Sequence, residues 1–513
     1  MNNLSEYDLG QLVKKGVPER KVLDQIETFK EGIPFVDLEK AATVSDGILK
    51  FSEEEEKQLI AEYDKQGKTR SLLKFVPASG AASRMFKALF HFLKTYDFEK
   101  EGFDAYLERT KDLEVKGFFD GLEKFPFYRE VQARIANKAL SEDHGKFLFV
   151  REMLLEDGLN FGDHPKGLLP FHDYGDYRVT PFEEHLKEAA LYARTDQGAK
   201  LHFTISEQHS ALFKLQFESI RERVVAAMGA EFDISYSFQK SSTDTIAVTL
   251  ENEPFRNPDG SLLFRPGGHG ALIENLNEQD ADIIFIKNID NVVVPQFANA
   301  MADSKKVLGG LLLRIQSRAF EYAKMLDLRD ITAEELQGAK RFLEEELNAR
   351  FSERFSSFSI AEQIEVLKDK INRPIRVCGM VKNEGEPGGG PFWTKDRSDH
   401  VSLQIIESAQ VDMSNAEQVD IFKNSTHFNP VDLVCGIKSY EGKKYNLLNF
   451  VDFKQGFITQ KTKEGKNLKA LELPGLWNGA MAHWNTIFVE VPLITFNPVK
   501  TVNDLLKPAH QVK

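Results

Sequence analysis

The distribution of apolar residues predicts an alternation of short buried strands with amphipathic helices. Helical spacing of apolar positions fills most of the stretches between the apolar runs, as at 207–228 and 308–326. Strands that alternate with helices are typical of a largely parallel sheet covered by helices on both faces. The pattern therefore predicts an α/β fold. The predicted strands are 72–76, 200–205, 233–239, 245–249, 282–286, 376–381, 401–406 and 486–491.

The same pattern divides the chain into four predicted parts. Ser52 and the glutamates after it indicate a helix start in the first part, which is polar and has the pattern of a helix. This part either packs on the main domain or serves as a protein-binding arm. The predicted parts are a helical N-terminal region at 1–70, a core at 71–330 with a helical insertion at about 88–160, a helical connector at 331–370, and a C-terminal α/β part at 371–513 that completes the active site.

Composition and charge exclude several classes of protein. The net charge of −13 argues against a nucleic-acid or anionic-membrane surface, so an anionic substrate would need local lysines, arginines or a metal ion. Cys378 and Cys435 are too few for a disulfide framework or a structural zinc site. No stretch has the length of a membrane helix, and the N-terminus lacks the apolar core of a signal peptide. We therefore expect a cytoplasmic location.

A run of small residues after the first predicted strand favours a phosphate-binding turn. Small side chains let the backbone approach a bulky anion, and a helix N-terminus just after them would point free N–H groups at it. Arg84 would then offer a planar, permanently charged fork to the phosphate oxygens. The alternative is a tight strand-to-helix turn with Arg84 as a surface charge. The run consists of Ala78, Ser79, Gly80, Ala81, Ala82 and Ser83.

Two lysines and one aspartate extend this hypothesis. Prolines flank Lys166, and Pro498 precedes Lys500, so both ammonium groups would be held rigidly as point charges for phosphate. Asp290 follows an almost wholly apolar strand, where a carboxylate can bind Mg²⁺ together with water and substrate phosphates. The alternatives are a solvated Lys166 and an Asp290 that caps a turn.

The loop of Gly267, Gly268, His269 and Gly270 opens a predicted helix. Bare backbone there could lie against a planar base, with His269 directed at the substrate; a flexible turn is the alternative. Arg84, Lys166, Lys500 and a divalent ion at Asp290 would together clamp a triphosphate. Such a site works by positioning and charge stabilisation, and an attacking phosphate needs no general base.

In chain order, six segments resemble the signatures of the UDP-sugar pyrophosphorylases of the UDP-glucose and UDP-N-acetylglucosamine types. Segment 78–85 resembles the Gly-rich turn that ends in Gly-Thr-Arg-Met, and 164–167 resembles the Pro-Lys loop. The remaining four resemble the Phe-x-Gln, Pro-Gly-His-Gly, Asn-x-Asp-Asn and Phe-x-Pro-Val-Lys-Thr signatures. They lie at 238–239, 266–270, 285–291 and 496–501. The whole chain also resembles a bacterial family known as a domain of unknown function.

This resemblance implies a Rossmann-like nucleotide-diphospho-sugar transferase fold and assigns roles to residues. Gln239 would read uracil, and the 267–270 loop would contact the nucleoside, with Asn288 as a further substrate-binding residue. Asp290 would bind Mg²⁺, and Lys500 would contact the phosphates. The implied partners are a nucleoside triphosphate, with UTP favoured, and a sugar 1-phosphate.

The chain departs from the family in three places. Ala81 and Ala82 stand where the family has a variable residue and a second glycine, and alanine tolerates positive φ poorly. About 80 residues separate Arg84 from Lys166, far more than in the family. The family's C-terminal β-helix has no counterpart after Lys500, so oligomerisation through that module is not expected.

Two alternatives to a pyrophosphorylase remain open. A nucleotide- or sugar-binding protein on the same scaffold could be catalytically silent because of the altered 80–83 turn. A glycosyltransferase would need an Asp-x-Asp metal motif, of which Asn288, Ile289 and Asp290 supply only half.

Overall fold

A computed structural model describes residues 4–80, 82–138, 141–328, 330–385, 388–396 and 399–512. The chain forms two compact units, and each is assembled from three separate stretches of sequence. The first unit consists of Met1–Leu72, Gln239–Ile286 and Lys306–Leu493. The second consists of Leu73–Phe238, Lys287–Lys305 and Ile494–Lys513.

The first unit is built on a mixed sheet. Its central strand, Ile375–Lys382, is buried along almost its whole length because most of its residues are apolar, three of them β-branched. This strand pairs in parallel with Asn485–Glu490 and antiparallel with Asp432–Gly436. The strand order in this unit is Thr43–Val44, Gly47–Leu49, Asn485–Glu490, Ile375–Lys382, Asp432–Gly436 and Ile283–Lys287, with His427–Phe428 paired to Ile375–Lys382.

Two antiparallel sheets complete the strands of the first unit, so a parallel arrangement holds for only part of the sheet structure. One has the order Asp37–Ala41, Gly390–Lys395 and Val401–Ile406. The other has the order Phe264–Arg265, Thr245–Val248, Lys466–Glu472 and Phe457–Lys463.

The helices of the first unit begin where the sequence supplies capping residues. Ser52 accepts a hydrogen bond from the Glu55 N–H and forms a capping box, as the sequence predicts. The N-terminal region is not wholly helical, because Thr43, Val44 and Ile48 lie in short strands. The helices are Glu6–Lys15, Glu19–Glu31, Glu53–Gln66, Ile273–Asn277, Ala333–Glu345, Ile360–Ile371 and Ala416–Lys423, and Pro295–Leu328 has residues in both units.

The main strands of the second unit pair mostly in parallel. Leu72–Pro77 and Phe232–Phe238 both pair in parallel with Gly198–Ile205, which also pairs antiparallel with Arg194–Thr195. A short hairpin joins His172–Asp173 to Arg178–Val179. The helix Pro181–Tyr192 packs on Gly198–Ile205 and starts at a proline, with Thr180 as its N-cap.

The insertion predicted at about 88–160 is helical. Its abundant phenylalanines form one buried aromatic cluster, in which Phe92, Phe118 and Phe127 are almost fully buried. The helices of the second unit are Lys87–Thr95, Phe103–Thr110, Leu113–Asp120, Tyr128–Ile135, Glu142–Leu154, Pro181–Tyr192 and Ser210–Met228.

Each unit thus carries strands flanked by helices, which confirms the predicted mixed α/β class. Ligands of such folds bind beyond the carboxyl ends of parallel strands. In the second unit, this edge is marked by Pro77, Ile205 and Phe238. Within the described part of the chain, no helix is both long enough and apolar enough to cross a bilayer.

Candidate active site

The turn after Leu72–Pro77 is fixed at both ends by neighbouring backbone. The Ala78 N–H donates to the Thr204 carbonyl at 2.8 Å, and the Ala82 N–H donates to the His164 carbonyl at 3.2 Å. Ala78 and Ala82 are buried, which explains why small side chains are needed there. Ala81, a predicted phosphate-binding residue, lies outside the described residues.

Gly80 lies at the exposed tip of this turn. A Cβ added to Gly80 would meet no atom within 4 Å, so packing does not require glycine at this position. The Lys166 N–H donates to the Gly80 carbonyl at 3.1 Å and ties the turn to the Lys166 loop. The exposed backbone at Ser79 and Gly80 leaves room for a bulky anion, and their phosphate-binding role stays a prediction.

The helix after the turn begins later than predicted. A 3₁₀ turn occupies Ala82–Arg84, and the helix itself starts at Lys87 without a side-chain cap. The Ala82 N–H is already bonded to the His164 carbonyl, so it is not one of the free donors that the sequence predicts. The side chains of Ser83 and Arg84 are exposed and remain available to a ligand at this turn.

Lys166 and Asp290 form an ion pair in the second unit. Lys166 follows Pro165 at the start of a 3₁₀ turn, and its Nζ atom lies 2.6 Å from Asp290 Oδ2. Both side chains are mostly buried, with 14% and 18% of their surfaces exposed. Gly167 permits this approach, because a Cβ there would lie 2.9 Å from the Ile289 side chain.

Backbone and histidine contacts hold the loop that carries Asn288 and Asp290. The Ile289 N–H donates to the Pro77 carbonyl at 3.3 Å, at the end of the first strand of this unit. His185 Nε2 lies 3.1 Å from the Ile289 carbonyl and must donate to it, since a carbonyl only accepts. Burial holds the pKa of His185 well below its usual range, so the ring is neutral. Asn288 is half-buried.

Asn291 links the Asp290 loop to the segment of Lys500. Its Oδ1 atom accepts from the Asn497 N–H at 2.8 Å, and its Nδ2 donates to the Thr495 carbonyl at 2.9 Å. The Val502 N–H in turn donates to the Met85 carbonyl, next to Arg84. Residues of the predicted clamp thus lie on segments that hydrogen bonds join to one another.

Asp504 shapes the backbone at Lys500. Its Oδ2 atom accepts from the N–H groups of Lys500 and Thr501, at 2.8 and 2.7 Å. The Lys500 side chain is exposed, and its Nζ atom lies 5.8 Å from the centre of the Phe496 ring. The exposed ammonium and the exposed Arg84 guanidinium are suited to an anionic ligand.

A buried charged cluster precedes the Asp290 loop in the chain. Glu188 lies 2.9 Å from Lys74 Nζ and 2.8 Å from Lys287 Nζ, and all three side chains are buried. Burial lowers the pKa of Lys74 to about 8. Burial raises the pKa of Glu188, but the Lys287 and Lys74 ammonium groups outweigh this effect and hold it well below its usual range.

The chemistry of the site fits Mg²⁺ only together with a bound phosphate. Among the residues that the structure describes, no three His, Cys, Asp or Glu side chains are grouped to hold a metal ion. Asp290 offers one carboxylate, and Mg²⁺ commonly takes one or two carboxylates, water and substrate phosphates. Because Oδ2 accepts from Lys166, an ion would bind Oδ1 or replace the ammonium group.

The remaining predicted residues belong to the first unit. Gln239 is half-buried. A Cβ on Gly267 would lie 2.7 Å from the Thr243 carbonyl oxygen, and one on Gly270 would lie 2.0 Å from the Pro474 carbonyl oxygen. Packing therefore explains these two glycines without a ligand. Gly268 has a φ of 77°, a value that favours glycine.

His269 stacks on Trp477 within the first unit. The ring centroids are 4.5 Å apart, and the planes differ by 21°. Burial lowers the pKa of His269 to about 4, so the ring is neutral near pH 7. Its Nε2 atom is buried and has no hydrogen-bond partner among the described residues. A neutral imidazole held in this way can donate or accept one further hydrogen bond.

Sequence reasoning missed the residues that hold the site together. Asn291, His185 and Asp504 position their neighbours through backbone hydrogen bonds. Asn291 lies within a segment that the sequence singles out, so its amide could have been noticed. His185 lies 104 residues from its partner, and no local pattern reports such a contact.

The structure is similar to solved pyrophosphorylase structures. A UDP-N-acetylglucosamine pyrophosphorylase from Trypanosoma brucei shares 13% identity and a TM-score of 0.48, covering 98% of this chain and 79% of that chain. A UDP-glucose pyrophosphorylase from Leishmania major, in complex with UDP-glucose, shares 13% identity and a TM-score of 0.44, with the same coverage. No curated protein matches the chain.

One family model covers nearly the whole chain. The model matches residues 5–511 and is described as a domain of unknown function, DUF4301. The match confirms the predicted resemblance to a family of unknown function. The chain belongs to the DUF4301 family.

Proposed function

We propose that the chain is a nucleotidyltransferase that forms a nucleoside diphosphate sugar. A phosphate oxygen of a sugar 1-phosphate attacks the α-phosphorus of a nucleoside triphosphate and forms a new P–O bond. The bond between the α-phosphorus and the bridging oxygen breaks, and pyrophosphate leaves with the electron pair. No proton has to be abstracted, because the attacking phosphate is already an anion.

The observation that carries this proposal is the group of Gly80, Lys166 and Asp290 at the carboxyl edge of the second unit. Lys166 donates its N–H to Gly80 and its ammonium group to Asp290. The group combines exposed bare backbone, a rigid cation and a carboxylate. These are the components that bind a nucleotide phosphate with its metal ion.

Arg84 and Lys500 complete the proposed phosphate site. Both side chains are exposed and lie on segments joined by the hydrogen bond from Val502 to Met85. Their charges would stabilise the negative charge that develops on the leaving pyrophosphate. Mg²⁺ held by Asp290 and the phosphates would supply further charge neutralisation.

The proposed nucleotide is UTP, and this preference depends on the resemblance alone. Gln239 corresponds to the family residue that reads uracil, and 266–270 corresponds to the loop at the nucleoside. The sugar is left open, because no described contact points to a particular hydroxyl pattern.

The test measures pyrophosphate release from each common nucleoside triphosphate with Mg²⁺ and a panel of sugar 1-phosphates. Release with one pair establishes the reaction and identifies both substrates. Arg84→Ala and Lys500→Ala should each lower turnover at least about 100-fold with little change in melting temperature. Lys87→Ala is the control, because this lysine is also exposed and lies three residues from Arg84. Near-normal turnover in both variants would refute the assigned roles.

A second candidate is a nucleotide-binding protein without catalysis. The ion pair of Lys166 with Asp290 and the engaged Ala82 N–H both reduce the groups available to a triphosphate. If UTP raises the melting temperature but pyrophosphate is never released, this candidate replaces the first.

A further inference from the structure

A continuous chain of hydrogen bonds runs through the second unit, and we call it the histidine relay. It consists of the Glu184 carboxylate, the rings of His172 and His510, and the Asn497 carbonyl. His172 Nδ1 lies 2.6 Å from Glu184 Oε1, and His172 Nε2 lies 3.0 Å from His510 Nδ1. His510 Nε2 lies 3.1 Å from the Asn497 carbonyl oxygen. The two rings and Glu184 are almost fully buried.

The histidine relay needs one proton more than its neutral rings supply. Its three hydrogen bonds need three protons, but two neutral imidazoles carry only two. Both ends of the relay accept, since a carbonyl and an ionised carboxylate have no proton to donate. The third proton must therefore reside on one of the rings or on Glu184. Without it, two lone pairs would face each other inside a buried site.

The surroundings locate the third proton near Glu184. Burial lowers the pKa of His510 to about 3, so this ring is neutral and accepts from His172. The charged groups that act on His510 from its own segment are Asp504 and Lys507. The proton is therefore shared between His172 and Glu184.

The buried ammonium groups of Lys74 and Lys287 interact electrostatically with Glu184, and Tyr174 and Lys187 lie closer to it. The Tyr174 hydroxyl donates to Glu184 Oε1 at 2.7 Å, and burial raises the pKa of Tyr174, so it keeps its own proton. Lys187 Nζ lies 3.8 Å from Glu184 Oε2 and 3.3 Å from Glu183, which also pairs with Arg223. None of these groups adds a proton to the bond between His172 and Glu184.

The relay ends at a residue that the proposed active site depends on. Asn497 is held on both sides, because its carbonyl accepts from His510 and its N–H donates to Asn291. Asn291 directly follows Asp290, and Lys500 lies three residues after Asn497. Loss of the His510 contact would release one of the two backbone anchors of Asn497.

We propose that the histidine relay is a positioning device that holds the Lys500 segment in place only while its third proton is bound. The expected effect on turnover rests on the role of Lys500 in the proposed function. The expected loosening of the Lys500 segment does not depend on that role. When the third proton leaves, the ionised Glu184 keeps the Nδ1–H of His172, and His510 donates its single proton to His172. The Nε2 lone pair of His510 then faces the Asn497 carbonyl, so this bond is lost and residues 495–502 loosen. Acidification has no such effect, because the proton is then already present.

The decisive variant is Glu184→Gln. Its amide can donate to a neutral His172, so the relay keeps three hydrogen bonds at every pH without the extra proton. His510→Phe removes the relay at every pH. Glu183→Gln is the matched control, because it also removes a buried carboxylate on the same helix but lies outside the relay.

Hydrogen exchange of residues 495–502 measures how firmly the relay holds this segment, and the measurement does not require enzymatic activity. The wild type should lose about two- to ten-fold of its protection as the pH is raised far enough to remove the third proton, after correction for intrinsic exchange. Glu184→Gln should keep its protection, His510→Phe should lack it throughout, and Glu183→Gln should follow the wild type. Equal pH dependence in the wild type and Glu184→Gln, or constant wild-type protection, would overturn the proposal.

The second readout is the pH profile of pyrophosphate release. Wild-type kcat should fall on the alkaline side, and Glu184→Gln should move this limb to higher pH, whereas a purely structural role would lower kcat equally at every pH. If no reaction is found, the proposed function fails, and the exchange experiment still tests the relay. If exchange follows the prediction but both kcat profiles coincide, the relay holds the segment without affecting catalysis, and the positioning role is refuted.

Discussion

Glu188 is the carboxylate of a buried cluster that contains more positive than negative charge. Lys74 and Lys287 both donate to it, and nearby Lys305 has a pKa held well below its usual range by burial. Charges buried at this depth persist only when they are paired, because desolvation costs several kcal/mol per ion. The cluster therefore depends chiefly on Glu188, with a weaker contribution from Glu184.

We expect Glu188→Gln to lower the free energy of unfolding by about 3–5 kcal/mol, because it leaves buried ammonium groups without a counter-charge. Chemical denaturation measures this loss. Glu218→Gln is the control, since Glu218 is exposed on the helix Ser210–Met228 and should change stability by less than about 0.5 kcal/mol. A similar, small effect of both substitutions would show that the cluster is not held by this charge.

Lys74 should make stability increase with pH on the alkaline side. Its pKa is about 8 in the folded state and near 10.5 when unfolded, so between these values the unfolded chain binds more protons. Stability then rises with pH across this window, by up to about 1.4 kcal/mol per pH unit. Lys74→Met should flatten this rise relative to the wild type, and exposed Lys87→Met should not. Parallel curves for Lys74→Met and the wild type would contradict the prediction.

The sequence predicts the exposed cations better than the buried ones. Arg84 and Lys500 stand in short segments whose composition is informative, and both are found in the second unit near the predicted turn. Lys74 interrupts an apolar strand, and only its contact with Glu188, 114 residues later, explains its burial. His172 and His510 of the histidine relay are 338 positions apart in the sequence, so no local sequence pattern predicts their contact.

At the scale of elements, strands and capped helices are the most predictable features. The apolar run 282–286 becomes the buried strand Ile283–Lys287, and Ser52 caps its helix as predicted. The helix after the small-residue turn was predicted too early. A 3₁₀ turn at Ala82–Arg84 precedes its start at Lys87, and the Ala82 N–H in that turn is bonded to the His164 carbonyl of a distant loop.

The 267–270 loop illustrates how packing can imitate a functional motif. Gly270 has ordinary φ, but its Cα faces the Pro474 carbonyl oxygen at a distance that excludes a Cβ. Loss of nucleotide binding in a Gly270 variant would therefore not by itself demonstrate contact with the nucleotide.

We expect Gly270→Ala to destabilise the first unit by about 1–3 kcal/mol, because the new methyl group overlaps the Pro474 backbone. Gly10→Ala is the control, since a Cβ there meets nothing within 4 Å and alanine favours the helix by about 0.5–1 kcal/mol. Denaturant midpoints of the two variants measure the difference. Equal midpoints would mean that the loop can shift away from Pro474.

At the scale of the whole molecule, the chain returns to each unit more than once. Residues 494–513 complete the second unit, although the rest of it ends at Lys305. Val499, Val502 and Leu505 belong to the aromatic cluster of the helical insertion. Local sequence patterns predict the helices and strands of each stretch, but they do not predict which distant stretch packs into the same hydrophobic core.

Because residues 494–513 cover part of this core, we expect their deletion to expose the aromatic cluster. Gly121 lies so close to Leu506 that a Cβ would be 2.5 Å from its Cδ1 atom, and Asn503 donates to the Glu114 carbonyl at 2.8 Å. Limited proteolysis should then cut faster between residues 87 and 154 than in the full chain. Leu505→Ala, which leaves a cavity worth about 2–5 kcal/mol, should give an intermediate rate. Unchanged cleavage after deletion would mean that the insertion closes its core alone and that the C-terminal segment serves only to carry Lys500 and His510.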